Sequence, residues 1–329
     1  MNLAGGTILR KALLLGSMAM WVACNNTPED TNTANETRTT APAVSAPVFD
    51  AQAAMGHVQK QVDFGPRVPG SSAWKQCGNW LVEAFKAVSD TVYVQETTVT
   101  QPGSNKQYPC KNIIAAINPN ATDRILILAH WDSRPWADED VNNTDKPIDA
   151  ADDGASGVAV MLEMARCIKA QNPNKGVDFL LVDTEDVGKS EWGEKSYCLG
   201  SQYWGQNPHV PNYKARWGVC LDMVGAKGAQ FPLEGYSNYY APDIQKKIWD
   251  TGNRLGFSDY FRYIQGGQIT DDHVVINETR GIPTVDIINL QPGGSFGQHW
   301  HTHNDNVSII DPATMKAVGQ TVLQVIYEN

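Results

Sequence analysis

Hydrophobic and polar positions alternate in two rhythms along the chain, and the rhythms change places repeatedly. Trp74, Cys77, Leu81 and Phe85 recur at helical spacing, which predicts a helix over 72–88 after the breaker-rich Gly65-Pro66-Arg67-Val68-Pro69-Gly70. Strand-like runs follow at 91–99, 112–117 and 125–129. Val158, Met161, Leu162 and Ala165 then mark one face of a helix over 157–168. The apolar run Val177 to Val182 reads as a central buried strand, and 217–221 and 284–290 read likewise, whereas 243–255 and 311–326 read as helices. Such alternation predicts an α/β fold, a three-layer sandwich whose central mixed, mostly parallel β-sheet is flanked by helices. No internal repeat interrupts it.

The first residues follow a different pattern. Arg10 and Lys11 precede an apolar stretch, Ala12 to Ala23, that ends in small residues before Cys24, as an export signal does. Trp21-Val22-Ala23-Cys24 resembles a bacterial lipobox. Residues 1–23 are therefore expected to be a lipoprotein-type signal peptide, with Cys24 lipidated and the protein exported, periplasmic and membrane-anchored. Residues 24–46, rich in Thr, Asn, Pro and Ala and without an aromatic side chain, are expected to be a disordered tether. The catalytic domain is expected over 47–329.

Composition narrows the function. Of 329 residues, 26 are Lys or Arg and 36 are Asp or Glu, and the net charge of -10 without basic runs excludes a nucleic-acid surface. The six cysteines, Cys24, Cys77, Cys110, Cys167, Cys198 and Cys220, contain no CxxC pair, so a thiolate metal knuckle is not expected. Spacing leaves any disulfide pairing open, but Cys167 and Cys220 lie in apolar runs and read as buried small hydrophobes.

Acids cluster where predicted strands end. The run 125–129 leads into His130-Trp131-Asp132, Asp152-Asp153-Gly154 precedes a helix, 177–182 leads into Asp183-Thr184-Glu185-Asp186, and 217–221 leads into Asp222. In open α/β sheets ligands bind in the crevice beyond the carboxyl ends of the strands. Three of the seven histidines, His299, His301 and His303, fall within five residues. Imidazole and carboxylate without thiolate suit zinc with an open position, ahead of manganese, cobalt or iron.

These landmarks, in this order, resemble the zinc-dependent M28-type aminopeptidase superfamily: Gly65 to Ser71, His130-x-Asp132, Asp153-Gly154-Ala155-Ser156-Gly157, Glu185-Asp186, Leu221-Asp222 and His301-Thr302. Within it, Asp271-Asp272-His273 with Phe296 and Trp300-His301-Thr302 is similar to the glutaminyl cyclases, which make N-terminal pyroglutamate. The resemblance implies one zinc per chain held by Asp153, Asp186 and His301, with Glu185 as proton carrier among Asp186, Asp222 and Asp271. It also implies a small pocket of Trp192, Phe296 and Trp300, and as partners peptides and proteins with N-terminal glutamine. His299 and His303 are expected away from the metal, with Asp305 or His303 orienting His301.

An aminopeptidase is the alternative, in which His130 and Asp222 would help bind a second metal. A metal-free binding module on the same fold would be expected to lose these ligands, and they are all present. Departures from the superfamily are visible: Asp186 where many members have Glu, no cysteine near Ala129 or Val158, where animal cyclases carry a disulfide, and different residues at Asp183-Thr184 and in the Val187 to Lys195 loop. A monomer is expected, since no amphipathic heptads appear.

Overall fold

In a computed structural model the structure describes residues 45–328. The expected signal peptide, Cys24 and nearly all of the tether lie outside the described residues. Ser45 and Ala46 are an exception. Ala46 is buried and its N–H donates to Gln324 Oε1 at 3.2 Å, so the folded unit takes in two residues ahead of the expected start at Pro47.

The chain runs through α1 (Ala51–Val62), α2 (Ser72–Val88), β1 (Thr91–Thr100), β2 (Gln107–Ile117), β3 (Arg124–His130), α3 (Ala155–Ala170) and β4 (Gly176–Val182). It continues through α4 (Leu199–Gln206), β5 (Trp217–Asp222), β6 (Phe231–Leu233), α5 (Gly235–Tyr240), α6 (Pro242–Arg254), β7 (Phe261–Gln265), α7 (Asp272–Arg280), β8 (Thr284–Ile288) and α8 (Pro312–Glu328). Six strands form one sheet in the order β1-β2-β4-β3-β5-β8. β1 and β2 pair antiparallel at one edge, β2 pairs antiparallel with β4, and β4, β3, β5 and β8 run parallel.

The pleat sorts the core into two layers. Ile125, Ile127, Phe179, Leu181, Val219 and Ile287 point into the larger cluster with Val58, Leu81, Met161, Trp249 and Val322 from α1, α2, α3, α6 and α8. Leu126, Leu128, Leu180 and Cys220 point to the other face, against Trp204 of α4 and Ile276 of α7. The expected sandwich, mixed and mostly parallel, is the one observed.

Each expected strand and helix is present with ends shifted by a few residues at most, save β2, which begins at Gln107. Helix α1 carries no strong periodic signal because its buried positions are Ala54, Val58 and Gln61. The short β6 and β7 form a separate two-stranded parallel sheet. The cysteines Cys77, Cys110, Cys167, Cys198 and Cys220 are all buried and unbridged, so Cys167 and Cys220 do behave as small hydrophobes. Among the described residues no helix is long and apolar enough to cross a membrane.

Candidate active site

The carboxyl ends of β3, β4 and β5 and the amino end of α3 meet at one place. Two glycines of the Asp153-Gly154-Ala155-Ser156-Gly157 run make this approach possible. Gly154 has φ +108°, and a Cβ on it would lie 2.7 Å from the Asp132 carbonyl oxygen. A Cβ on Gly157 would lie 2.1 Å from the Leu221 carbonyl, so only glycine lets α3 lie this close to β5. Ala150, Thr184, Cys198, Met223 and His301 adopt left-handed φ of +48° to +55°. Thr184 precedes Glu185, Met223 follows Asp222, Cys198 Sγ stands 3.7 Å from Glu185 Oε1 and His301 is itself a candidate ligand, and such strain persists only where surrounding structure imposes it.

The bracing explains several motifs. Arg67, fully buried, donates to the carbonyls of Asp149 and Ala150 and so holds the turn that precedes Asp153. Asp132 accepts the N–H groups of Glu185 (3.1 Å) and Asp186 (3.3 Å), tying β4's end to β3's. Asp305 accepts from the N–H groups of Asp152 (2.7 Å) and Asp153 (3.0 Å), which clips the C-terminal loop to the start of α3. Burial, together with Asp152 and Asp153, lifts Asp305 to about 7.

Asp153, Asp186 and His301 each bring one donor atom to a common point, all within 4.8 Å of one another. His301 Nε2 is 3.6 Å from Asp153 Oδ2 and 3.4 Å from Asp186 Oδ1. Donors about 2.0–2.1 Å from a tetrahedral zinc stand roughly 3.3–3.4 Å apart, so these spacings suit that ion. Asp186 Oδ2 is buried with no hydrogen-bond partner, as a donor set made for a cation should leave it. Both carboxylates and the imidazole therefore fit zinc. Burial works against the charge on Asp153, but His130 overcomes it and holds Asp153 at about 2. Burial likewise opposes His301's charge, yet Asp186 and Asp138 raise it to about 9.

A second donor set shares Asp153. His130 Nε2 lies 2.9 Å from Asp153 Oδ1 and 3.4 Å from Asp222 Oδ1. Burial, reinforced by Asp153 and Asp271 and opposed by the His130 hydrogen bond, lifts Asp222 to about 8. Glu185, Cys198 and Asp271 also converge, again within 4.8 Å of one another. Burial and the adjacent Asp186 push Glu185 well above the usual carboxylate range.

Asp153, Asp186, His301, Glu185, Asp222 and Asp271 line a cavity of about 290 Å³, with Met223, Ile269, Ile288, Phe296 and Trp300 on its apolar walls. Trp300 stacks on His301 at 3.7 Å and on Phe296 at 4.3 Å, so the metal-ligand candidate and the pocket wall are one stack. Trp192 does not line the cavity, contrary to expectation. The 3₁₀ turn Ser190–Trp192 places Ser190 on the lining and packs Trp192 edge-on against Trp136, beside Gly103. Tyr197 and Glu194 line that side instead.

The expected orientation of His301 also differs. His303 pairs with Asp140 and Asp305 holds backbone, while Asp138 Oδ1 stands 3.5 Å from His301 Nδ1. His299 pairs with Asp152 at 2.9 Å, away from the three converging donors. Arg134, which the linear chain does not single out, donates to Asp186 Oδ1 at 2.7 Å and to both Asp138 oxygens at 2.6 and 2.5 Å. It joins a candidate ligand to the partner of another. An arginine two residues after His-x-Asp is the one signal the sequence offers for it.

Residues 112–326 match the profile of peptidase family M28. The chain is similar to the solved Bacteroides thetaiotaomicron glutaminyl cyclase bound to N-acetylhistamine, with 44% identity, TM-score 0.85, and coverage of 87% of this chain and 100% of that one. It is similar also to a Zn-dependent exopeptidase from Parabacteroides distasonis, with 43% identity, TM-score 0.84 and the same coverage. The glutaminyl-peptide cyclotransferase of Bos taurus is 27% identical over 290 residues, which cover 79% of this chain and 76% of that protein.

Proposed function

The chain belongs to peptidase family M28, and within it we propose a glutaminyl-peptide cyclotransferase that converts the N-terminal glutamine of peptides and proteins to pyroglutamate with release of ammonia. One zinc per chain, held by Asp153, Asp186 and His301, belongs to the proposal. When bound, it supplies Lewis-acid polarisation of the substrate's side-chain amide carbonyl.

The chain's own residues do the rest. Cyclisation needs no enzyme nucleophile, because the substrate's α-amine attacks its own γ-carboxamide carbon; the ring C–N bond forms, the amide C–N bond breaks, and ammonia leaves. Phe296, Trp300 and Ile288 fold the side-chain methylenes back on themselves and keep water from competing. Glu185 accepts a proton from the attacking amine and returns it to the departing nitrogen. Its raised proton affinity suits a group that must hold a proton and release it in one cycle. Asp271 and Asp222 line the same cavity and accept hydrogen bonds from the amine side.

The observation that carries this reading is the meeting of Glu185 and Asp271 in a cavity walled by Phe296 and Trp300 and lined also by the Asp153, Asp186 and His301 donors. The test is mass spectrometry of a peptide with N-terminal glutamine, with and without a chelator. Chelator-sensitive loss of ammonia with every peptide bond intact supports it. The second donor set at His130, Asp153 and Asp222 favours a different reading, a two-metal aminopeptidase. Release of the whole first residue in the same assay would establish that reading instead.

The proposal also takes the protein as an exported, periplasmic monomer anchored through lipidated Cys24. Its support is the charged, apolar and small-residue order of 10–24.

A further inference from the structure

A second cavity, of about 360 Å³, opens between α4 and α7. Its helical walls follow from spacing. Gln202 and Gln206 of α4, and Val274 with Glu278 and Val275 with Thr279 of α7, are pairs four residues apart, which stand one above the other on a helix face. Cys198 and Val274 on its lining are buried whereas Gln206, Glu278 and Thr279 are exposed, so the cavity runs from the interior out to solvent.

This cavity and the one that holds Glu185 and Asp271 share a wall, because Glu194, Tyr197 and Thr270 line both. The hollows beside Trp136 and beside Phe64 share no lining residue with the Glu185 cavity. The common wall is held in place from α4: Gln202 Nε2 donates to the carbonyls of Tyr197 at 2.7 Å and Lys195 at 3.2 Å. A peptide whose first residue fills the Glu185 cavity must send the rest of its chain elsewhere, since cyclisation consumes only the α-amine and side chain of that residue. An extended chain advances about 3.3 Å per residue, so the two or three residues that follow span roughly 7–10 Å, the scale of the adjoining cavity.

Charge says which side chains would be welcome there. Glu194 and Glu278 are exposed on the lining, and neither is ion-paired among the described residues. Glu278 accepts the Tyr240 hydroxyl at 3.2 Å, which fixes it at the rim. Lys195 is the one cation on the lining, so the carboxylates outweigh it. Tyr197 and Tyr236 add aromatic rings, whose faces also attract a cation.

We propose that the cavity between α4 and α7 is the subsite for the two or three residues after the N-terminal glutamine, and that Glu194 and Glu278 make it select a Lys or Arg side chain over an acidic one. The proposal rests on the cyclase reading in so far as the glutamine occupies the adjoining cavity.

Two measurements on the purified zinc-loaded protein test it. The first is kcat/KM for ammonia release from short alanine-based peptides with N-terminal glutamine that carry Lys or Glu at the second, third or fourth residue. Each value is divided by the same protein's value for glutaminyl-alanine amide, so that a general loss of activity cancels. At one position or more, Lys should exceed Glu by about 3–10-fold in wild type. Glu278→Lys should bring that ratio to one or below, Lys195→Gln should widen it, and high salt should shrink it. A wild-type ratio near one at all three positions, or a ratio that Glu278→Lys leaves unchanged, overturns the proposal. The second measurement needs no turnover and no variant: a glutamine peptide with photoreactive benzoyl-phenylalanine at its third residue is irradiated with the protein, and the labelled residues are mapped by mass spectrometry. Labels are expected within 194–206 and 270–279, displaced more readily by the Lys peptides than by the Glu peptides. Labels confined to other segments, or none, overturn the proposal. A wild-type protein that releases ammonia from no peptide rejects the cyclase reading instead, and the label map alone then decides the subsite.

Discussion

Asp178 and Asp286 are both aspartates in the same sheet, both fully buried, and their surroundings are opposite. Asp178, near the amino end of β4, accepts Arg124 Nε and the Tyr213 hydroxyl on one oxygen, each at 2.7 Å, and Arg124 Nη2 on the other at 2.5 Å. Asp286, toward the other end of the sheet, has no hydrogen bond to either oxygen and looks onto Asp271 and His273. A buried acid with every lone pair answered is a structural fixture. A buried acid among other acids is costly, and the fold keeps several of them at the end of the sheet where the cavity lies. The lesson is that charge in a core marks function where its partners are missing, more than where the charge merely occurs.

The comparison can be broken at either end, and the largest effect is expected at the cavity. His301→Ala removes one of three converging donors and should lose zinc and activity together, down to background, as read by metal analysis and the peptide assay. An active, zinc-bound variant would mean that the assigned ligand set is wrong. Glu185→Gln should separate the two properties, retaining zinc while kcat falls by about 10²–10⁴-fold, the usual range for a lost general acid–base group. Near-normal turnover would remove Glu185 from the chemistry.

At the amino end of the sheet the expectation is the converse. Asp178→Ala leaves Arg124 and Tyr213 facing an empty space, so urea unfolding should show a loss of about 3–5 kcal/mol. Its kcat and zinc content should match wild type at a temperature where it is folded. A fall in kcat in the folded variant would mean that the two ends are coupled and the contrast is false.

The smallest effect concerns pH. His209 packs on Tyr213 beside the Asp178 network and accepts Trp204 Nε1–H on Nδ1 at 3.3 Å, which requires the neutral ring. Burial holds it down at about 4. Because the folded value lies below the unfolded one of about 6.5, the unfolded chain takes up the proton first as pH falls. Stability contributed by the neutral ring is thus whole above about pH 6.5 and drains away toward pH 4, by roughly 1–2 kcal/mol after allowance for partial exposure. His209→Gln should flatten that part of the stability profile, and an unchanged slope would assign it to other groups.

Much of this is legible in the linear chain, for reasons that particular residues make plain. Val177 to Val182 and Ser72 to Val88 can be read because burial on both faces, or on one stripe, leaves a periodic trace. Asp153, Glu185, Asp186 and Asp222 can be picked out because acids gather at strand ends, and Asp271 and His301 because Asp271-Asp272-His273 and Trp300-His301-Thr302 resemble motifs of the M28 superfamily. Trp192 defeats such reading, since an aromatic residue in an irregular loop carries no sign of which way its 3₁₀ turn points it. Arg134 and Asp138 escape it because a charged pair in a long loop looks like any solvated surface pair until the loop folds inward.

By itself the sequence determined the three-layer architecture, the buried strands, and the set of acids and histidines available for a metal. These are properties of local spacing and of residue type, and each repeats or clusters along the chain. Only the tertiary structure decided that Asp138 stands behind His301, that Arg134 joins Asp138 to Asp186, and that Asp286, His273 and Glu234 lie together beyond Asp271. Those relations join β8, α7 and loops far apart in the chain. Contact and charge in a folded core depend on distance through space, and no one-dimensional pattern records it.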